Sequence, residues 1–398
     1  MWRTRLTGQP QRAKLRRLAF LFILLPQSAQ DVPTWRLTHD IQIGADAQGA
    51  QYDFTRIEAV LSASDGAVFI ADAISRDVRV FAATGAYEST IGRSGRGPGE
   101  FGRLLSAGLL GDTLWVIDSG LRRATLFSRA GEVLATISTA VEATYGPAGQ
   151  AKRLHYMTAL LPGGLAFGTA TTGESNASVL PQPEAATPVL LMTRAGRTLD
   201  TLAWVSTKNA YFASMIDGGI GQVIGRQRFS DAPLTILAPS MSRLFIVDRS
   251  VATVPRTTTF RVVALEAGGD TLWSRNYPYL PRRLEKDSID SYLASLQRSF
   301  ARSGSPRTPA ELRQIAFIPE YRTPVTSGFA DGDGTLWLRR EEGRSIVEYA
   351  VIGPDGRLLA RLNVPSSVTL MAVAGSKAWG VEVDADDVPH VVRYNIMK

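Results

Sequence analysis

Two stretches of the sequence repeat each other without a gap, and this internal repeat constrains the fold more than any other feature. Residues 66–92 read GAVFIADAISRDVRVFAATGAYESTIG, and residues 112–138 read DTLWVIDSGLRRATLFSRAGEVLATIS. Each position in the first copy has a counterpart 46 positions later, so Asp72 matches Asp118. Each copy predicts three strands, with a short loop after the aspartate and a tight turn at a glycine. With one preceding strand, each copy makes a four-stranded antiparallel unit.

Weaker copies continue along the chain and raise the number of predicted units to six. The second strand of the recognisable units carries an aromatic residue at one shared position, occupied by Phe69, Trp115, Phe245, Trp337 and Trp379. The predicted units cover residues 53–92, 101–140, 152–203, 233–276, 325–362 and 367–398. Six such units predict an all-β fold, a six-bladed β-propeller that occupies residues 31–398 as one domain.

The last unit lacks a fourth strand, because the chain stops after HVVRYNI, residues 390–396. Near the other end, the alternating run WRLTHDIQI, residues 35–43, belongs to no repeat. We therefore predict that this N-terminal strand pairs with residues 390–396 and closes the ring. Closure removes the exposed strand edges that otherwise invite aggregation.

Residues 281–320 depart from the repeat, and their pattern is helical. Apolar residues recur at helical spacing at Leu284, Ile289, Tyr292, Leu293, Leu296 and Phe300. The sequence Thr308-Pro309-Ala310-Glu311 is typical of a capping box with proline at the first helical position. The sequence thus predicts a helical hairpin inserted between the fourth and fifth units. Packing on the rim, and a role as a lid or partner-docking element, are both open.

The first thirty residues have the order of a secretory signal peptide. Six arginine and lysine residues without an acidic residue precede the apolar run LAFLFILL, residues 18–25, and PQSAQ follows it. We predict export to the periplasm or the extracellular space, with a cytosolic protein carrying a basic tail as the alternative. The apolar run is too short for a membrane span. Removing the leader lowers the formal net charge from +7 to about +1, so the charge does not predict nucleic-acid binding.

The connection between the first two units reads GRSGRGPGEF, residues 92–101. It lacks the Gly-Lys-Ser/Thr ending of a phosphate-binding loop, and a β-like run follows it where a dinucleotide fingerprint needs a helix. With the following run LLSAGLLGDTLWVIDSGLRRATLFSRAGEVLATI, it resembles the NHL-type six-bladed β-propellers. The chain also resembles bacterial exported six-bladed β-propeller proteins, and the match is close over residues 65–138. This resemblance implies the fold and no particular activity, because propellers host unrelated functions.

Three aspartates, Asp72, Asp118 and Asp248, end the second strand of their units. An active site rarely needs one group copied around a ring, so the recurrence favours a structural role. Aspartate can accept hydrogen bonds from backbone N–H groups in the following loop. We therefore predict that these three carboxylates hold loops in place.

No pattern in the sequence predicts a metal ion or a cofactor. His39, His155 and His390 lie in or beside predicted strands of different units, without a partner at metal-ligand spacing. The stretches DGDG (331–334) and DADD (384–387) resemble calcium loops, but hairpin turns are the favoured interpretation of both. For DADD, a surface ion held by several carboxylates is the alternative. The chain has no cysteine, which excludes disulfides, thiol nucleophiles and Cys-ligated zinc.

The resemblance implies that inter-unit connections and the loops between second and third strands emerge on one face. That face would collect the candidate ligand-binding residues Arg76, Arg93, Arg96, Glu100, Arg122, Arg123 and Arg249. Guanidinium groups bind carboxylate, sulfate or phosphate through paired hydrogen bonds. The hypothesis is a weakly bound anionic ligand, such as an acidic glycan or peptide. The alternative is a set of solvated loops whose arginines pair with nearby acids.

Two function classes stay open at this point. The favoured one is a non-catalytic binding or scaffold propeller of the bacterial envelope, with a protein, peptide or anionic glycan as its partner. The alternative is a lyase or hydrolase that uses the central channel, where ligands from different blades need no linear spacing. Nucleic-acid binding conflicts with export. We expect no cofactor, no membrane span and a monomeric protein.

Overall fold

The computed structural model describes residues 32–44, 49–145, 151–170, 186–215, 222–238, 243–251, 258–341 and 345–398. The predicted signal peptide lies outside these ranges. The strands are β1 (Thr34–Ile43), β2 (Ile57–Ser62), β3 (Val68–Asp72), β4 (Asp77–Phe81), β5 (Tyr87–Ile91), β6 (Leu104–Leu110), β7 (Thr113–Asp118), β8 (Arg123–Phe127), β9 (Val133–Ser138), β10 (Ala140–Tyr145), β11 (Ala151–Leu160), β12 (Leu165–Ala170), β13 (Ala186–Thr193), β14 (Thr198–Ser206), β15 (Tyr211–Met215), β16 (Gln222–Arg226), β17 (Leu234–Ala238), β18 (Arg243–Asp248), β19 (Thr258–Glu266), β20 (Thr271–Tyr279), β21 (Ser327–Ala330), β22 (Leu336–Glu341), β23 (Ile346–Ile352), β24 (Leu358–Pro365), β25 (Val368–Ala374), β26 (Lys377–Val383) and β27 (Pro389–Met397). The α-helices are α1 (Lys286–Arg302) and α2 (Pro309–Ile315), and short 3-10 turns occupy Ala50–Tyr52 and Pro162–Gly164.

Strand pairing within the described ranges groups 24 of these 27 strands into six antiparallel units of four. In order of pairing they are β2–β5, β6–β9, β11–β14, β17–β20, β21–β24 and the set β25, β26, β27 and β1. The strand β10 adds a fifth member to the third unit, and β15 and β16 form a separate hairpin after it. Neither β10 nor this hairpin was predicted from the sequence, because both lie in connections that the repeat does not cover.

The units follow one another as the blades of an all-β propeller. The first strands of neighbouring units contact each other, in the pairs β2 with β6, β6 with β11, β17 with β21, β21 with β25 and β25 with β2. The third and fourth units share one apolar cluster, in which Phe167 and Leu202 pack with Leu244 and Leu265. Each unit therefore covers the faces of its neighbours.

The shared aromatic position of the repeat lies in the core between units. Phe69, Trp115, Phe245, Trp337 and Trp379 are all buried on the second strands of their units. Phe69, for example, packs in one cluster with Phe101 of the following connection and Leu114 of the next unit. Full burial of such a side chain contributes about 1.5–3 kcal/mol relative to exposure, so this position holds neighbouring blades together.

The N-terminal strand completes the last unit, at the pairing that the sequence predicts. β1 runs antiparallel to β27, from Arg36 opposite Met397 to Ile43 opposite Val391. β1 also pairs in parallel with β24 through Thr34 and Trp35, which joins the fifth and sixth units into one eight-stranded sheet. This second pairing involves only two residue pairs at the end of β1, and for that reason the sequence pattern does not indicate it.

Both helices lie between β20 and β21. The capping box at Thr308 and Glu311 is present, and Leu284 precedes α1 as part of the connection. The buried face of the helices, formed by Tyr292, Leu293, Leu296, Phe300 and Leu312, packs with Phe229. Neither helix in the described ranges has the length and apolar character needed to cross a membrane.

Candidate functional site

The connection between the first two units, residues 92–103, meets the loops 73–76 and 119–122 on one side of the propeller, which we call the loop face. Arg76 donates to the Ser94 hydroxyl at 2.9 Å, and Arg123 donates to the Glu100 carbonyl at 2.8 Å. These bonds join the first connection to the loop after β3 and to the start of β8.

Asp72 and Asp118 lie beneath these loops and hold them through backbone hydrogen bonds. The Asp72 carboxylate accepts the N–H groups of Thr55, Arg56, Ile74 and Ser75. Asp118 accepts those of Gly102, Arg103, Gly120 and Leu121 in the same pattern. Both side chains are buried, with relative exposures of 0% and 1%. Each carboxylate thus ties the loop after its own strand to the connection before its unit.

Asp248 differs from these two aspartates, because among the described residues its carboxylate bonds side chains and no backbone N–H group. Its carboxylate accepts the Ser250 hydroxyl at 2.9 Å and lies 3.7 Å from the Arg261 guanidinium. Its side chain is 40% exposed. The physical reason is the neighbouring residue, because Arg249 occupies the buried place between the connections.

Arg249 is correspondingly a structural residue and does not line an open surface. Its guanidinium donates to the carbonyl of Ala232 at 2.6 Å and to those of Val325 and Thr326 at 3.0 and 3.3 Å. Burial lowers the pKa of Arg249 to about 10, which leaves the group charged at neutral pH. This buried position corrects its assignment to a ligand-binding surface.

The Gly-rich connection folds around the side chain of Glu100. That carboxylate accepts the N–H groups of Arg96 and Gly97 at 2.9 and 2.7 Å and pairs with the Arg93 guanidinium at 2.8 Å. The Gly97 N–H and the Arg93 guanidinium hold the pKa of Glu100 below its usual value. A side chain at Gly95 would collide with the Glu100 carboxylate. Glu100 therefore holds the connection in its conformation. Because Glu100 and Arg93 bond each other and the loop, neither is a charge without a partner.

Arg76, Arg96 and Arg122 remain exposed on the loop face. Among the described residues, the structure gives no carboxylate partner to any of the three. Arg76 and Arg122 occupy equivalent repeat positions and both have positive φ, at 60° and 53°. Such backbone is uncommon for residues other than glycine, so both loops hold their arginines in a sterically restricted conformation.

A cleft of about 330 Å³ opens between the first two units on this face. Its lining residues are Arg76, Ser94, Gly95, Arg96, Gly102, Gly120 and Leu121. Two of the predicted ligand-binding residues, Arg76 and Arg96, thus share one cleft, while Arg122 lies beside it in sequence. Sequence reasoning missed Ser94, although its position within the Gly-rich connection was a signal that it faces the same loops.

The two acidic stretches form turns. In the first, Asp331 accepts the N–H groups of Asp333 and Thr335 and the indole N–H of Trp337, and burial raises the pKa of its carboxyl group. In the second, Asp384 bonds the His390 imidazole at 2.9 Å. The described residues contain no group of three or more histidine, aspartate or glutamate side chains placed to hold a metal ion.

Comparison with known proteins agrees with this architecture. Residues 51–156 match the model of a domain family, DUF5128, described as a 6-bladed beta-propeller. A crystal structure of a duf4221 family member from Bacteroides vulgatus superposes with a TM-score of 0.53 at 10% identity, covering 92% of this chain and 99% of that one. The chain is a β-propeller protein.

Other solved structures are more distant. A candidate exported protein from Bacteroides fragilis has a TM-score of 0.43 at 11% identity, with 94% of this chain and 98% of that chain covered. Virginiamycin B lyase from Staphylococcus aureus has a TM-score of 0.41 at 9% identity, with coverages of 91% and 99%. Among curated proteins, none matches this sequence. These similarities concern the fold alone.

Proposed function

We propose that this chain is a non-catalytic, ligand-binding propeller of the bacterial envelope that takes an anionic group into the cleft between its first two units. The observation that carries the proposal is the convergence of Arg76 and Arg96 on this cleft without a carboxylate partner among the described residues. An anion would supply the missing negative charge. Carboxylate, sulfate and phosphate groups share the geometry that guanidinium donors recognise.

The bonding of the neighbouring groups supports this assignment. Arg76 uses one donor on Ser94, and a guanidinium has five N–H donors in total. Arg123 braces the connection from below through carbonyl groups of Gly97 and Glu100. Glu100 is engaged with the loop backbone and Arg93, so it does not neutralise the cleft. The local charge is therefore positive although the chain without its leader is close to neutral.

The location of the protein and the finer family assignment rest on the sequence. The basic and apolar leader over residues 1–30 supports export to the periplasm or the extracellular space. The Gly-rich connection supports an NHL-type propeller, and the pairing of β1 with β27 supports a closed six-bladed ring. The positions of α1 and α2 between β20 and β21 support a helical insertion over residues 281–320. The chain acts as a monomer in this proposal. A lyase or hydrolase activity in the channel stays a prediction that no observation here favours.

The test is a binding screen with defined anions. Trigalacturonate, a sulfated heparin disaccharide, inorganic phosphate and hexaglutamate would be titrated into the protein at low salt by calorimetry. We expect weak binding of at least one probe, and a loss of about ten-fold or more in the Arg76→Gln/Arg96→Gln variant, because each charge-assisted hydrogen bond contributes about 1.5–3 kcal/mol. Binding should also weaken at high ionic strength, since salt screens exposed charges.

A matched control removes the same charge elsewhere. Arg298 and Arg302 lie exposed on helix α1. The Arg298→Gln/Arg302→Gln variant should therefore bind the anion as the parent does. The proposal fails if no anion binds at low salt, or if both double variants lose affinity equally.

A further inference from the structure

A second cleft, larger than the first, lies between the third and fourth units. Its volume is about 550 Å³, within the usual range for small-molecule sites. It is formed by the end of β14, the connection that leads to β17, and the strands β18 and β19 of the fourth unit. The Gly-rich connection contributes nothing to it, so this cleft is distinct from the one that carries the proposed function.

One wall of this cleft is an exposed indole. Trp204 near the end of β14 is 61% exposed, although tryptophan is usually largely buried in a folded protein. The apolar residues Ala232, Pro233 and Ile246 line the same cleft. The flat aromatic surface can therefore cover the apolar C–H face of a ring while the rest of the cleft contacts its edge.

Two carboxylates that are already held in position also line the cleft, Asp231 and Asp248. Asp231 accepts the side-chain amide of Asn209 at 2.9 Å and the N–H of Val251 at 3.4 Å. Asp248 is oriented by the Ser250 hydroxyl and by Arg261. An ionised carboxylate offers about four acceptor sites, so each retains capacity for hydroxyl donors.

Asp248 reaches this cleft because its unit departs from the repeat. Its counterparts Asp72 and Asp118 are buried, and their oxygens are occupied by backbone N–H groups. In the fourth unit, Arg249 fills the buried place and leaves Asp248 at the surface. A carboxylate that is structural in other units is thus available for contact with a ligand here.

The charges of the lining side chains balance. Lys208 and Arg261 oppose Asp231 and Asp248, so the cleft has no net formal charge, unlike the arginine cleft of the first two units. The cleft offers hydrogen-bond donors, hydrogen-bond acceptors and an aromatic surface, and its neutral net charge favours neither anions nor cations. Hydroxyl groups on a ring with one apolar face meet all these conditions.

We propose that this cleft binds a neutral carbohydrate, with a sugar ring stacked on Trp204 and its hydroxyl groups donating to Asp231 and Asp248. Arg261 and Asn209 complete the polar edge by donating to sugar oxygens. The volume accommodates a short oligosaccharide, since sites of about 300–1,000 Å³ enclose ligands of drug size.

The experiment titrates the full chain with neutral trisaccharides: maltotriose, cellotriose, xylotriose, mannotriose, laminaritriose and triacetylchitotriose. Calorimetry gives the affinity and tryptophan fluorescence reports the environment of the indole. We expect at least one trisaccharide to bind and to change the fluorescence. Trp204→Ala should weaken it by about ten-fold or more, because an aromatic side chain that the ligand covers contributes at least about 1.4 kcal/mol to binding. Trp204→Phe should retain most of the affinity, and Asp248→Asn should lose an intermediate amount.

Two controls separate this proposal from the anion site. Leu199→Ala removes another exposed apolar side chain of β14 that does not line the cleft, and it should leave binding unchanged. The Arg76→Gln/Arg96→Gln variant should bind the trisaccharide normally. The proposal is overturned if no neutral trisaccharide binds, if Trp204→Ala binds as the parent does, or if only acidic sugars bind.

Discussion

The first two units and the fourth unit anchor the loop after their second strand with buried side chains of opposite charge. In each, a side chain at the end of the second strand must tie the following loop to the connections between units. Asp72 and Asp118 do so as buried acceptors of backbone N–H groups. In the fourth unit, Arg249 does so as a buried donor to backbone carbonyl groups.

The difference shows that the repeat specifies a position and a task more strongly than a residue type. Buried backbone polar groups need hydrogen-bond partners. A carboxylate satisfies backbone N–H groups, and a guanidinium satisfies backbone carbonyl groups. The exchange has a consequence for function, because it moves the neighbouring Asp248 from the interior to a cleft. A unit that departs from the repeat can therefore gain a binding site while its strands stay anchored.

The largest expected effect is on the buried aspartate. Asp118→Ala leaves four backbone N–H groups without their acceptor, so we expect a loss of about 3 kcal/mol in the free energy of unfolding. Asp248→Ala should lose less than about 1 kcal/mol, because its contacts are exposed. Urea unfolding of both variants measures the contrast.

Asp118→Asn is the matched control for this pair. The amide can keep the oxygen that accepts three of the four N–H groups, but it presents a donor to the N–H of Gly102. Its stability should therefore lie between those of the parent and Asp118→Ala. Equal losses for Asp118→Ala and Asp248→Ala would show that the two aspartates do not differ in role.

A somewhat smaller effect is expected at the arginine anchor. Arg249→Met keeps much of the side-chain volume but leaves the carbonyl groups of Ala232 and Val325 without this donor, at a cost of about 2 kcal/mol. Carbonyl groups tolerate the loss of one partner better than N–H groups, since they have two lone pairs. Chemical denaturation measures the loss, and Arg261→Met serves as the exposed control. A stability unchanged in Arg249→Met would contradict the anchoring role.

The fold was predictable where the sequence repeats. The gapless match between Asp72 and Asp118 and the aromatic position at Phe69 and Trp115 gave strands whose buried contacts recur in each unit. The connections were less predictable, because β10 and the hairpin of β15 and β16 have no counterpart in other units. Their pairing depends on tertiary neighbours, which a local pattern does not contain.

The candidate sites were predictable only in part, for a related reason. Spacing placed Arg76, Arg96 and Arg122 on one face. It could not show that Arg249 is buried, because successive residues of an extended chain point in opposite directions and a shift of one residue reverses exposure. The cleft at Trp204 escaped notice because its residues come from two units and one connection. Only the packed structure brings them together.

The smallest effect is expected at the half-buried acid of the first connection, Glu100, and its pH dependence sharpens the contrast with the fully buried aspartates. The Gly97 N–H and Arg93 hold the pKa of Glu100 below its usual value, so between the folded and unfolded pKa the unfolded chain binds more protons. Glu100 therefore stabilises the fold fully above its unfolded pKa of about 4.3, and this contribution is lost as the pH falls through the lower folded value. The melting temperatures of the parent and Glu100→Gln should differ at pH 7 and converge in acid, with Arg93→Gln reducing the pH dependence. A difference that stays constant from neutral to acid pH would mean that Glu100 acts through the shape of its side chain and not through its charge.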